Sequence, residues 1–238
     1  MKIKGYFLNL SEVAQMSNFE QYSGALFDLH GVIADTSKYH LQAWHQLATE
    51  LGVEWTSTLA QSVVGMSRSD AVTAILHAGN LERQYSVQQQ TALGDHKNEM
   101  YLKLIAHMSP ADILPGVIDF LNDLQQHHFG IVLASASVNA PLEIQRMALE
   151  SYFPLIVDPA TLAHNKPAPD IYQQAAAMLN RSPQQCLGFE DSQTGLAALN
   201  AAGVISIGIG EEAEIATAQV KLPNTSALSL ANIAQMIG

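Results

Sequence analysis

Five residues at four places in the chain could share one piece of chemistry. Asp28 closes the apolar run "GALF", Ser135 follows "IVLA", Lys166 sits in "HNKPAPD", and Glu190 with Asp191 follows "LGF". Three carboxylates, a hydroxyl and a lysine in one crevice suit a hard cation and a phosphate. Mg²⁺ takes oxygen ligands and commonly combines a few carboxylates with substrate phosphate oxygens. Lysine meets phosphate as a point charge, and a carboxylate beside both can attack phosphorus and become an aspartyl-phosphate. Singly, each residue has a plainer reading: Asp191 or Ser192 caps the helix "QTGLAAL", and Ser135 or Ser137 belongs to a loop. Four such places, each at the end of an apolar run or in a loop between runs, favour a shared site.

A parallel sheet would bring them together. Ala25–Phe27, Ile131–Ala134, Leu187–Phe189 and Val204–Ile209 are short continuous apolar runs, with Leu155–Val157 a weaker fifth. Such runs suit strands covered on both faces. Helical patterns lie between them. In "PGVIDFLNDLQQHH", Pro115 takes a first-turn position and Val117, Leu121 and Leu124 share a face. "APDIYQQAAAMLN" and "SQTGLAALNAAG" repeat the theme, the second stopping at Gly203. Strand alternating with helix predicts an α/β fold with a doubly wound parallel-sheet core, whose carboxyl-end crevice binds ligands.

The first crossover is too long. Ser135 follows Asp28 by 107 positions, where a strand–helix–strand unit takes roughly 30. The excess reads as helical: Leu41, Trp44, Leu47 and Leu51 form a stripe, Ser86 caps "SVQQQT", and "RSDAVTAILHAG" and "HKNEMYLKLIAHM" continue the pattern. The expected organisation is an N-terminal extension over 1–21, an α/β core over 22–36 and 109–238, and an inserted α-helical cap domain over 37–108. Emerging at the carboxyl end of the first strand, the cap would cover the crevice as a lid that excludes water.

Composition narrows the setting. The net charge of −11 argues against a surface that tracks nucleic-acid phosphates. No apolar run approaches the ~20 residues that span a bilayer. The first 22 residues make a poor secretory signal, because Asn9, Ser11 and Glu12 break their apolar patch; Met16 is a second candidate start. A single cysteine, Cys186, excludes an intramolecular disulfide framework and fits a reducing cytosol. The expectation is a cytoplasmic monomer with a small-molecule partner and no nucleic-acid or membrane partner.

From about Ala25 to the C-terminus, "FDLHGVIADT", "YHLQAW", "GMSR", "SPADILPG", "LASAS", "DPATLAHNKPAPDIY" and "GFEDSQTG" occur in an order and spacing that resemble the haloacid dehalogenase superfamily, most closely its β-phosphoglucomutase-like branch. The resemblance implies a Rossmann-like core acting on a phosphorylated sugar. Asp28 matches the nucleophile that becomes phosphorylated. Mg²⁺ would be held by Asp28, the backbone carbonyl of His30, Glu190 and Asp191. Ser135 and the Ala136 backbone would bind the transferring phosphoryl oxygens, and Lys166 would neutralise charge beside Asp28. Arg68 matches the grip on the substrate's other phosphate, helped by Ser137 and Asn139. His40, Trp44 and Lys97 with Asn98 match lid contacts. These roles agree with the physics of phosphoryl transfer, which is positioning plus charge neutralisation. Residue by residue, Trp44 reads equally as lid core, His40 as structural, Arg68 as a solvated loop residue and Asp35 as a helix cap. His127 and His128 show no metal-ligand spacing, and Cys186 is given no role.

Two positions depart from the family pattern. His30 stands where the family has the Asp that serves as general acid/base. Imidazole can move protons near neutrality, but its nitrogens reach differently from a carboxylate oxygen. A working acid/base, impaired catalysis and a changed reaction all stay open. Val138 replaces a lysine that helps hold the non-transferring phosphate. The expected function is therefore β-phosphoglucomutase activity with Mg²⁺ and glucose 1,6-bisphosphate as activator. Its alternatives are a sugar-phosphate phosphatase and a catalytically impaired phosphosugar-binding relative.

Overall fold

The computed structural model describes residues 19–64 and 66–237; most of the expected N-terminal extension, Met16 included, lies outside them. Strands β1 (Gly24–Phe27), β2 (Gly130–Leu133), β3 (Cys186–Glu190), β4 (Ile205–Ile209) and β5 (Val220–Leu222) form one parallel sheet in the order β2-β1-β3-β4-β5. The two-residue side-chain period divides β1 between two cores. Ala25 and Phe27 pack with Leu133, Phe189 and Ile207, while Leu26 faces Val132, Leu196 and Leu199 on the opposite side. Phe27 stacks on Phe189 at 4.4 Å, tying the two central strands together.

Helices α5 (Val117–Gln126), α6 (Ala140–Arg146) and α9 (Leu230–Ile237) cover the Phe27 face, and α7 (Asp170–Met178) and α8 (Gln193–Ala202) cover the other. This is the doubly wound core expected. The chain steps from β1 to β2 on one side and returns to β3 on the other, so a crevice opens at the carboxyl ends of β1 and β3.

Between β1 and β2 lie α1 (Ser37–Glu50), α2 (Ser57–Ser62), α3 (Arg68–Ala78) and α4 (Val87–Leu104). They enclose an apolar cluster of their own, including Trp44, Leu47, Leu59, Ile75 and Leu76. Ser86 caps α4, as the sequence predicts, and does so in a reciprocal pair with Gln89. Tyr101 and Ile105 join the sheet's core, which anchors the insertion to it. Among the described residues no helix is long and apolar enough to cross a membrane.

Four local expectations are corrected. Leu155–Val157 is not a strand: Ile156 makes only an isolated bridge to Leu133. The fifth strand is "VKL" at the sheet edge, where three residues with an exposed central lysine carry almost no apolar signal. Pro115 stands before the first turn of α5, which starts at Val117 after Gly116 in a left-handed conformation. Asp35 does not cap α1; it is exposed and accepts a hydrogen bond from Lys38, while Thr36 takes the N-cap position. Arg68 is the first residue of α3, capped by Ser67, rather than a loop residue.

Candidate active site

Asp28 leaves β1 with its N–H donating to the Phe189 carbonyl at 3.0 Å, which sets its carboxylate at the crevice floor. Its Oδ2 accepts the backbone N–H of His30 at 3.0 Å, and its Oδ1 accepts Lys166 Nζ at 2.7 Å. The loop turns at Gly31, with φ 73°; a Cβ there would lie 1.8 Å from Asp191 Oδ2, so only glycine fits.

Glu190 ends β3 almost fully buried and saturated with donors. Its Oε1 accepts Lys166 Nζ and the Tyr172 hydroxyl, both at 2.6 Å, and its Oε2 accepts Ser192 Oγ at 3.1 Å. Burial by itself would lower the Lys166 pKa, but Asp28 and Glu190 more than offset it and raise it, so the ammonium stays charged. Ser192 supplies the cap of α8, leaving Asp191 uncommitted. Burial, then the Glu190 and Asp28 charges, push the Asp191 carboxyl up to about 8. One oxygen from each of Asp28, Glu190 and Asp191 lies within 4.8 Å of the others. Crowded, all-oxygen and short of positive charge, this trio fits Mg²⁺.

Ser135, at the end of β2, is buried and accepts the Ser137 N–H at 3.2 Å. The loop continues through Ala136 and Ser137 to Asn139, whose amide reaches Asn98 of α4 at 2.7 Å and joins core to insertion. From the insertion come Arg68, paired with Asp95 at 3.0 Å, and Lys97, whose Nζ lies 2.8 Å from His40 Nδ1 and 4.3 Å over the Trp44 ring. Burial, then the Arg68 charge, lower Lys97 to about 7. His40 stacks on Tyr101 at 3.9 Å, and burial, then the His30 and Lys97 charges, hold its pKa well below the ordinary value. Trp44 answers both of its readings, being part of the insertion's core and lining the cleft.

One cleft between sheet and insertion is lined by the residues that the family resemblance places at the site: Asp28, His30, Ser135, Ala136, Ser137 and Asn139, Lys166, Glu190 and Asp191, and Arg68, His40, Trp44 and Lys97. Four residues that sequence reasoning passed over support them. Tyr172 holds Glu190, Tyr101 carries the His40 ring, Thr36 holds the His30 ring with its hydroxyl 2.9 Å from Nδ1, and Glu143 lies 3.5 Å from His30 Nε2. Glu143 is fully buried and accepts the Ser137 hydroxyl at 3.1 Å. Its signal was present: in "APLEIQR" it shares the buried helix face of Ala140 and Ile144.

The geometry has counterparts. A model of the haloacid dehalogenase-like hydrolases matches residues 22–203. The chain is 38% identical to a β-phosphoglucomutase of Bacillus subtilis (strain 168), over 86% of this chain and 91% of that protein. It is 26% identical to the fructose-1-phosphate phosphatase YqaB of Escherichia coli (strain K12), over 80% and 98%. A solved β-phosphoglucomutase of Clostridium difficile superposes with a TM-score of 0.87 at 33% identity, covering 90% of this chain and 96% of that one.

Proposed function

Because the chain belongs to the haloacid dehalogenase-like hydrolase family, we propose that it transfers a phosphoryl group on a sugar phosphate through a phospho-Asp28 intermediate. Its reaction is the interconversion of β-glucose 1-phosphate and glucose 6-phosphate, with glucose 1,6-bisphosphate as activator. The observation that carries this reading is the buried contact of Lys166 with Asp28 at 2.7 Å, beside the Glu190–Asp191 pair.

Lys166 holds the Asp28 carboxylate in position for attack on phosphorus. Asp28, Glu190, Asp191 and the His30 backbone carbonyl would hold Mg²⁺, which when bound would supply charge neutralisation for the transferring oxygens. The Ser135 hydroxyl and the Ala136 backbone donate to those oxygens. Arg68, Ser137 and Asn139 take the distal phosphate, and His40, Trp44 and Lys97 line the sugar's side of the lid. For Arg68 this means exchanging the Asp95 carboxylate for phosphate. His30 takes the acid/base position. Thr36 holds its Nδ1 and Glu143 faces its Nε2, so the imidazole has to turn before it hands a proton to the leaving oxygen.

A specific observation favours a second reading. Val138 is 52% exposed in the cleft and brings no cation to the distal phosphate. A phosphatase, in which water attacks phospho-Asp28, does without that cation. The His30 ring, tied at Nδ1 to Thr36 and turned toward Glu143 at Nε2, favours a third, a phosphosugar-binding relative that lost its proton shuttle.

The deciding experiment is a coupled mutase assay with phosphate release read in parallel, on the native chain and on Asp28→Asn. Glucose 6-phosphate that forms only with the bisphosphate present supports the mutase. Phosphate release without isomerisation assigns the phosphatase. Neither product, with ligand raising the melting temperature, assigns the binder. Turnover surviving in Asp28→Asn overturns the covalent route.

A further inference from the structure

The side chains of His30, His40 and Glu143 meet where the loop after β1, helix α1 and helix α6 come together. One donor atom from each lies within 4.8 Å of the other two. Glu143 is fully buried, and its Oε2 has no hydrogen-bond partner within normal limits among the described residues; nor have His30 Nε2, 3.5 Å away, and the buried Tyr101 hydroxyl, which also bears on Glu143. Buried polar atoms left this way are costly and uncommon. A separation of 3.5 Å is long for a direct hydrogen bond. It is close to the spacing of about 3.4 Å that two donors take on one tetrahedral zinc ion. The remaining atoms are already fixed from outside. His30 Nδ1 meets the Thr36 hydroxyl at 2.9 Å, and Glu143 Oε1 accepts from Ser137 at 3.1 Å. Outer partners of this kind orient metal ligands.

We propose that His30, His40 and Glu143 form a binding site for a late first-row divalent ion, of which Zn²⁺ is the chemical match, bridging the helical insertion to the core. Two imidazoles and a carboxylate are an established zinc donor set, and nitrogen donors favour such ions over Mg²⁺. The site is thereby separate in chemistry from the all-oxygen trio of Asp28, Glu190 and Asp191. Two cations oppose the ion: Lys97 Nζ, 2.8 Å from His40 Nδ1, and Arg68, whose charge also bears on His40. An ion on Nε2 holds the His30 ring away from the leaving oxygen, which makes the site inhibitory. That consequence rests on the proposed role of His30, whereas the binding does not.

The test is a titration of the metal-free full chain with Co²⁺ in excess Mg²⁺, followed by visible d–d absorption, with Zn²⁺ as competitor. One equivalent should give an intense band that Zn²⁺ removes. Glu143→Leu and His40→Ala should each weaken binding beyond the about 10–100-fold expected for loss of an outer partner. Lys97→Met should tighten it, and Asp191→Asn should leave it unchanged. If Glu143→Leu does not fold by circular dichroism, the near-isosteric Glu143→Gln takes its place. No band on the native chain, a band that survives both ligand substitutions, or one lost in a folded Asp191→Asn overturns the site. Binding is read without turnover, so a chain inactive as a mutase still reports on it.

Discussion

Lys166 Nζ and Asp28 Oδ1 stand 2.7 Å apart across 138 positions of sequence, and the same ammonium lies 2.6 Å from Glu190. One buried cation thus serves two buried carboxylates. Lys166→Met leaves both uncompensated, a loss expected to cost about 3–5 kcal/mol. Denaturant unfolding without Mg²⁺ measures it. Turnover should fall by about 10²–10³-fold, as when a charge-stabilising donor is removed.

Asp191 makes stability depend on pH in a way that Mg²⁺ should suppress. Its folded-state pKa is raised from 3.8 to about 8 by burial and then by Glu190 and Asp28. The folded chain therefore binds the extra proton between those values. The associated stability is fully present below pH 3.8 and is lost as pH rises through about 8. Melting curves of the metal-free chain should fall over that window relative to Asp191→Asn. Saturating Mg²⁺ should flatten the difference, since the cation favours the ionised carboxylate.

His30 and Glu143 should behave as a pair. His30→Asp alone sets a second carboxylate against buried Glu143, which is expected to destabilise by about 1–3 kcal/mol. Adding Glu143→Leu should recover that loss, giving a coupling energy in a double-mutant cycle. The double variant regains a family-type carboxylate free to move, so its kcat should exceed the native value by about 10²-fold. A lower kcat would mark the imidazole as the working group.

Val138→Lys should restore a distal cation without disturbing the fold. The native side chain is half-exposed, so stability should change by no more than about 0.5 kcal/mol. The apparent KM for glucose 1,6-bisphosphate should drop about tenfold, equivalent to about 1.4 kcal/mol. Phosphate release from a monophosphate should be unaffected. Equal effects on both substrates would show that position 138 does not face the second phosphate.

The elements that place the site were largely legible in the chain. Short apolar runs ending at Asp28, Ser135 and Glu190 marked three strand ends, and the stretch from Ser37 to Met108 declared itself helical. Those signals are local, because side-chain period and capping act within a few residues. β5 was invisible because an edge strand of three residues buries too little to leave a pattern. The partners of the cleft residues were also invisible. Arg68 was readable as a cation, but not as one held by Asp95; His30 was readable as a departure, but not as a ring set between Thr36 and Glu143. By itself the sequence determined which residue types stand at the carboxyl ends of the strands. Only the tertiary structure decided which nitrogen faces which oxygen. Chain-distant side chains pair through the sheet order and the docking of the insertion, and neither is encoded in the spacing around either partner.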